Sequence, residues 1–166
     1  MLSTNIPPRH HIVISCTGRA GHNFLSPIIN SFRTALDSGQ YIIDHAIIPM
    51  RDLYSAAESR RDVTRRAEAA LAQKEIHGGL WHTRVQEQQE IVLANQFYKI
   101  LYTISKRDIP MTLLSFPRFV RDSEYLYRKL EFMLNGIEYQ EFLQVFKQIA
   151  RPELVHDFFQ RSATAE

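Results

Sequence analysis

The chain has 166 residues, 45% of them hydrophobic, which is enough to bury the core of one domain. Its 20 basic and 18 acidic residues leave a formal charge of +2, so no strongly basic surface argues for a nucleic-acid partner. The single cysteine, Cys16, excludes an internal disulfide, and we expect it to be a packing thiol. The sequence has no secretory signal and no run of about 20 apolar residues. We therefore expect a cytoplasmic protein that does not associate with membranes.

Short runs rich in β-branched residues alternate with longer helical patterns, and this alternation predicts a parallel α/β sheet. Residues 1–10 are predicted to be a flexible leader, followed by a single domain over 11–166. The predicted strands cover residues 11–15, 41–50 and 111–116. Helical periodicity predicts helices through 25–36, from about 52 to about 72, through 93–104, from 117 to a cap at Asn135-Gly136, and over about 139–150. Gly78-Gly79 interrupts the helical pattern and predicts a loop over 74–83.

Residues 11–24 carry the most informative pattern, in which an apolar run enters a glycine-rich turn just before a predicted helix. The Gly18-Arg19-Ala20-Gly21 turn can direct successive backbone N–H groups inward, and the helix macrodipole then favours a phosphate or sulfate. P-loop nucleoside triphosphatases need a lysine and a magnesium-binding hydroxyl, which Ala20-Gly21-His22-Asn23 does not supply. The pattern therefore predicts an anion site that works without a metal. The alternative is an ordinary tight turn with no ligand.

A second anion site is predicted where the second strand ends. Arg51 follows that strand, and Ser59 lies eight residues later on the next predicted helix. An arginine fork and a serine hydroxyl can hold one phosphate from two sides. Arg107 and Ser115 repeat the spacing by chance, but only Arg51 lies at a strand-to-helix junction. Ligands of open parallel sheets bind beyond the carboxyl ends of the strands, so both sites are expected to face one crevice and to bind a ligand phosphorylated at two places.

In order and spacing, these motifs resemble the sulfotransferases that use 3′-phosphoadenosine 5′-phosphosulfate (PAPS). The run Arg19-Ala20-Gly21-His22-Asn23-Phe24-Leu25 is similar to the loop that binds the 5′-phosphosulfate, and Arg51 with Ser59 is similar to the 3′-phosphate site. Residues 113–136 look like a variant of the family's third landmark. The resemblance implies a three-layer α/β sandwich, with a small parallel sheet flanked by helices, of the P-loop NTPase-like sulfotransferase fold. It also implies PAPS as donor, no metal, and transfer to a hydroxyl or amine of a small metabolite or carbohydrate.

The resemblance also assigns roles to single residues. The implied donor-binding residues are Gly18, Arg19, Ala20, Gly21, His22, Asn23, Phe24, Arg51 and Ser59. Arg19 is expected to stabilise the charge that develops on the leaving group, and His22 to act as the base or to bind the sulfate as a cation. His82 is the alternative base. The sequence departs from the family pattern where Ala20 replaces a serine, where His22 and Asn23 replace two hydroxyl residues, and where Leu53 replaces a proline.

Several alternatives stay open at this stage. The chain can be a catalytically degenerate member that binds another anion or a protein partner, or a P-loop-type kinase, which the missing lysine disfavours. Trp81 can stack on a ring of a ligand or anchor its own loop. Arginines cluster on the second predicted helix, where a solvated ion-pair face is favoured over a phosphate or sulfated-glycan patch; they are Arg60, Arg61, Arg65 and Arg66. The aromatic C-terminal half is compatible with a homodimer.

Overall fold

The computed structural model describes residues 9–14, 41–69, 79–156 and 158. These ranges contain a three-stranded sheet in the order β1 (Arg9–Ile14), β2 (Tyr41–Arg51) and β3 (Met111–Phe116). Both neighbouring pairs of strands are parallel. The predicted α/β class with a small parallel sheet is therefore confirmed. β1 begins two residues before its predicted start and is described to Ile14, since residue 15 lies outside the described residues. β2 extends one residue further than predicted, to Arg51.

The described residues form five α-helices, which follow the sheet strands in the predicted alternation. They are α1 (Leu53–Ala69), α2 (Gln89–Ser105), α3 (Arg118–Arg121), α4 (Ser123–Leu134) and α5 (Tyr139–Ile149). Short 3-10 turns at Gln86–Gln88 and Pro152–Leu154 join or follow these helices. The one-turn helix α3 was not predicted as a separate element. The helix predicted through 25–36 lies outside the described residues.

A bulge in β2 decides which of its side chains face each helical layer. His11 pairs with Ile43 but Ile12 pairs with His45, so Asp44 is an extra residue on β2. Beyond the bulge, Ile47 packs into the core formed with α4 and α5. Its neighbour Ile48 packs against α2, as expected for alternating side chains. Helices therefore cover both faces of the sheet, an arrangement compatible with a three-layer sandwich.

The larger core lies between the sheet, α4 and α5. Its buried members are Ile47, Leu114, Phe119, Val120, Tyr125, Leu126, Leu130, Leu134, Phe142 and Phe146. Asp122 begins α4 as an N-cap, because its Oδ1 accepts a 2.8 Å hydrogen bond from the backbone N–H of Tyr125. The helix ends at Asn135 with φ of 30°, followed by Gly136 with φ of 82°, so the predicted Asn-Gly cap is confirmed.

Candidate functional site

The carboxyl edge of the sheet collects the ends of all three described strands. Because the pairing is parallel, β1, β2 and β3 all run toward this edge, where they end at Ile14, Arg51 and Phe116. Ile14 pairs with Ile47, so β2 extends four residues, from 48 to 51, past the last paired residue of β1. The predicted position of Arg51 at the end of a strand is confirmed. Crevices at such edges are where ligands bind in open parallel sheets.

Aromatic rings and one backbone carbonyl hold the side chain of Arg51. Its guanidinium carbon lies 5.0 Å from the ring centroid of Phe116 and 5.4 Å from that of Phe158. Its Nη2 donates a 2.6 Å hydrogen bond to the carbonyl oxygen of His156. The side chain remains partly exposed. These contacts restrict the conformations of the Arg51 side chain, and a guanidinium is the group best suited to a charge-assisted fork with a phosphate or carboxylate.

Ser59 lies on α1, the helix that directly follows Arg51, as the sequence predicted. Asp52 caps this helix by accepting a 2.8 Å hydrogen bond at Oδ1 from the N–H of Ser55. The cap fixes the start of α1 at Leu53, two residues after Arg51, and directs the positive end of its dipole toward the carboxyl edge. Ser59 itself is only 5% exposed and lies on the same inward side as Ser55 and Ala56. A ligand would therefore reach the helix start and Arg51 more easily than the Ser59 hydroxyl.

The other predicted donor-binding residues belong to the glycine-rich turn, whose position relative to Arg51 is not described. Gly18, Arg19, Ala20, Gly21, His22, Asn23 and Phe24 lie outside the described residues. The glycine-rich turn, the charge-stabilising role of Arg19 and the base role of His22 thus remain predictions from the sequence.

Trp81 anchors its own loop, which was one of the two alternatives left open. Its ring packs against Ala56, Ala57 and Leu93. Its backbone N–H donates to the side-chain oxygen of Gln89 at 2.7 Å, and its carbonyl accepts from the side-chain nitrogen of Gln89 at 3.3 Å. Gln89 is fully buried. These contacts fix the end of the connection that leads into α2 and leave the neighbouring His82 exposed, with φ of 53°.

The arginine cluster on α1 divides into one buried residue and an ion-pair face. Arg61 pairs with Glu58 at 3.3 Å and also with Glu90 on α2, while Arg65 pairs with Glu58 at 2.5 Å and Arg66 with Asp62 at 2.6 Å. Burial opposes ionisation of Glu58, but hydrogen bonds from Arg65 and Arg61 outweigh it and hold the pKa of Glu58 below its ordinary value. The predicted ion-pair face is therefore confirmed for the residues of this cluster other than Arg60.

Arg60 is the exception, and the sequence analysis did not separate it from its neighbours. It is 7% exposed, donates from Nη1 to the carbonyl of Gly79 at 2.9 Å, and lies with its guanidinium carbon 5.1 Å from the ring centroid of Trp81. Thr64, one turn later, accepts a 3.0 Å hydrogen bond from the N–H of Leu80. The sequence contains a signal for the burial of Arg60, because Ala56, Arg60 and Thr64 recur at four-residue intervals and therefore share one face of the helix.

A cavity of about 390 Å³ lies beside Arg51, and we call it the α1–α2 pocket. Its walls come from the end of β2, the first turn of α1 and the middle of α2, and include Pro49, Met50, Leu53, Ala56, Leu93 and Phe97. A second cavity of about 280 Å³, the Ile43 pocket, lies further toward the amino end of β2 and is lined by Ile43, Ala46 and Ile104, among others. Neither cavity could be predicted from the sequence, because apolar periodicity does not distinguish a filled helix interface from an open one.

Comparisons with known proteins, and searches for membrane-spanning helices and metal-binding groups, assign no function to the carboxyl edge. Comparison of the chain with protein-family models, with curated proteins and with solved structures finds no match. Within the described ranges, no helix has the length and hydrophobicity needed to cross a bilayer. The same ranges contain no group of three His, Cys, Asp or Glu side chains placed to hold a metal ion. The functional interpretation therefore depends on the local chemistry around Arg51.

Proposed function

We propose that the chain is a sulfotransferase-like protein that binds PAPS at the carboxyl edge of its sheet and transfers the sulfuryl group to a hydroxyl or amine of a small metabolite or carbohydrate. The observation that carries this proposal is the placement of Arg51. It combines a partly exposed arginine at the end of a parallel strand with a capped helix that begins two residues later. Each of these features favours an anion at the carboxyl edge of the sheet.

The register of β1 and β2 supports a single ligand that carries two anionic groups. Ile14 pairs with Ile47, and Gly18 follows Ile14 by four residues just as Arg51 follows Ile47 by four. Neighbouring strands lie about 4.8 Å apart, and these two run in the same direction. β1 therefore points toward the edge at which Arg51 lies. In the proposal, the glycine-rich turn binds the 5′-phosphosulfate and Arg51 is the main contact of the 3′-phosphate, with the nearly buried Ser59 hydroxyl as the minor one.

The reaction proposed is an in-line displacement at sulfur. The acceptor oxygen or nitrogen forms a bond to sulfur, the bond between sulfur and the 5′-phosphate oxygen breaks, and its electron pair stays on that phosphate. Arg19 stabilises the negative charge that develops there. His22 takes the proton that the acceptor loses, and the exposed His82 is the alternative base. The products are a sulfated acceptor and adenosine 3′,5′-bisphosphate.

Calorimetric titration with adenosine 3′,5′-bisphosphate tests this proposal. We expect saturable binding to the wild type and a loss of about 2 to 3 kcal/mol, or roughly 30- to 150-fold in Kd, in Arg51→Ala. Arg107→Ala is the matched control, because Arg107 has the same spacing to a serine but lies in the turn before β3, at the opposite edge of the sheet. Its affinity should change less than about twofold.

A second variant separates ligand binding from the anchoring contact that Arg51 makes with His156. Arg51→Lys keeps a cation at the edge but loses the planar fork, so an intermediate affinity is expected. Equal affinity for the bisphosphate in the wild type, Arg51→Lys and Arg51→Ala, with folding intact by circular dichroism, would remove Arg51 from the site. Tight binding without sulfuryl transfer to any acceptor pool would favour the degenerate binding protein instead.

A further inference from the structure

The side of α2 that points away from the sheet exposes large apolar and aromatic side chains. The inward side of this helix packs against the sheet and α1 through Leu93, Phe97, Ile100 and Ile104. The opposite side, which we call the outer face of α2, includes one residue of the preceding 3-10 turn and the C-cap residue. It consists of Glu87, Ile91, Asn95, Tyr98, Tyr102 and Lys106, all of which are exposed.

The centre of the outer face is unusually apolar for a surface in contact with water. Ile91 is 62% exposed, Tyr98 67% and Tyr102 57%. The rings of Tyr98 and Tyr102 stack with centroids 6.1 Å apart and planes inclined by 12°, so they form one flat patch. Tyrosine is enriched in protein interfaces, because its ring is largely apolar and its hydroxyl can still reach water. A contiguous patch of this kind on a regular helix marks an interaction surface.

The spacing of the outer face makes it complementary to itself. Its six positions follow one another at intervals of 4, 4, 3, 4 and 4 residues, a series that reads the same from either end. If a second copy lies antiparallel on this face, Ile91 therefore comes opposite Tyr102 of that copy and Asn95 opposite its Tyr98. Each of these contacts occurs twice, as a two-fold symmetric interface requires.

The charges at the two ends of the face favour the antiparallel orientation. Glu87 lies at one end and Lys106 at the other, so antiparallel copies join opposite charges, whereas parallel copies would join like charges. Within the ranges that the structure describes, neither side chain belongs to a salt bridge. Of the other charged residues on α2, Glu90 pairs with Arg61, and Lys99 lies on the flank of the face, where its ammonium group can stay in water.

We propose that the outer face of α2 is a dimer interface, which binds the same face of a second copy of this chain in antiparallel orientation. The face is about 28 Å long at a rise of about 1.5 Å per residue, so the contact is small and the dimer reversible. We expect a Kd of about 1 to 100 µM. The inference specifies one helix for the homodimer that the sequence left open. It is independent of the proposed function, because neither PAPS nor Arg51 takes part.

Sedimentation equilibrium over about 1 to 300 µM protein tests the location of the interface. We expect a monomer–dimer equilibrium for the wild type and a Kd at least about tenfold higher for Tyr102→Glu, which places a carboxylate in the apolar centre. Leu154→Glu is the matched control, because it removes a side chain that is 69% exposed and adds the same charge outside α2. Its Kd should change less than about twofold. Circular dichroism verifies that each variant is folded.

A charge exchange tests the antiparallel pairing. Glu87→Lys and Lys106→Glu should each raise the dimer Kd at least about fivefold, because each turns two attractive contacts into repulsive ones. The double variant exchanges the charges and should return the Kd to within about twofold of the wild type. Glu131→Lys changes an exposed acidic residue on α4 and should have little effect.

Three results would overturn the proposal. A wild type that remains monomeric at about 300 µM would leave the outer face to a different partner. A dimer with the same Kd in Tyr102→Glu as in the wild type would place the interface elsewhere. Weakening by both single charge variants without recovery in the double variant would contradict the pairing of Glu87 with Lys106. No nucleotide is present in these experiments, so none of these results bears on the proposed function.

Discussion

The two faces of the sheet are built differently. On the face toward α4 and α5, large side chains interlock, with Phe119 and Phe142 fully buried. On the face toward α1 and α2, much of the packing comes from small residues such as Ala46, Ala56 and Ala57, and two cavities remain. Polar contacts also hold the elements on this face together, as shown by the buried Gln89, which hydrogen-bonds the backbone of Trp81.

This contrast shows how the fold can combine stability with open space at one edge. A hydrophobic core holds its elements by filling volume, so it leaves no room for a ligand. Hydrogen bonds and ion pairs are directional contacts between few atoms. They can therefore fix α1 relative to α2 without close packing of the space between the two helices. Gln89 and Arg60 bind the segment 79–81 between the two helices, and Arg61 pairs directly with Glu90, so polar contacts connect α1 and α2 beside the α1–α2 pocket.

The largest expected difference between the faces is in the cost of removing a phenylalanine. Phe142→Ala should lower the free energy of unfolding by about 3 to 5 kcal/mol, because it leaves a cavity in a closed core. Phe97→Ala should cost less than half as much, because Phe97 is only partly buried and already borders the α1–α2 pocket. Urea denaturation followed by circular dichroism measures both. Equal losses would show that the two faces are packed alike.

A smaller effect tests whether polar contacts hold the pocket side together. Gln89→Leu conserves much of the side-chain volume but removes both hydrogen bonds to the backbone of Trp81, which should cost about 1 to 3 kcal/mol. The emission of Trp81 should shift to longer wavelength as its loop opens. Gln144→Leu, at an exposed position of α5, is the control and should leave the emission unchanged. An unshifted emission maximum in Gln89→Leu would contradict the anchoring role.

The smallest effect concerns a polar contact on the face toward α4 and α5. The N–H of Tyr125 donates to Asp122 and is the main reason that the pKa of Asp122 lies below its ordinary value of 3.8. A lowered pKa in the folded state means that this stabilisation is complete above the ordinary value and is lost as pH falls through the folded value. Asp122→Asn keeps a capping side chain but cannot titrate. Denaturation from about pH 5 down to about pH 2 should therefore be less pH-dependent in Asp122→Asn than in the wild type.

The sequence predicted the described elements well, because periodicity and capping residues act locally. Residues 111–116 were predicted as a strand with both ends correct, and Asn135-Gly136 correctly marked the end of α4. Arg51 was placed at a strand end because an apolar, β-rich run precedes it and a helical pattern follows from about residue 52. Such patterns can be identified from residues that are adjacent in the sequence.

The features that the sequence did not predict depend on tertiary contacts. Gln89 lies in the polar run 86–90, where nothing distinguishes a fully buried glutamine from its exposed neighbours. The aromatic contacts of Arg51 involve Phe116 and Phe158, which are distant in sequence and meet only at the carboxyl edge. The low exposure of Ser59 likewise follows from how α1 packs.

Discrimination between two nucleotides tests the central claim most directly, namely that one ligand is held at two anionic groups. The affinities of wild type and Arg51→Ala are measured by calorimetry for adenosine 3′,5′-bisphosphate and for adenosine 5′-monophosphate. The account predicts that the wild type prefers the bisphosphate by at least tenfold, and that Arg51→Ala loses this preference while keeping its affinity for the monophosphate. An equal loss of affinity for both nucleotides, or a preference that survives the substitution, would contradict it.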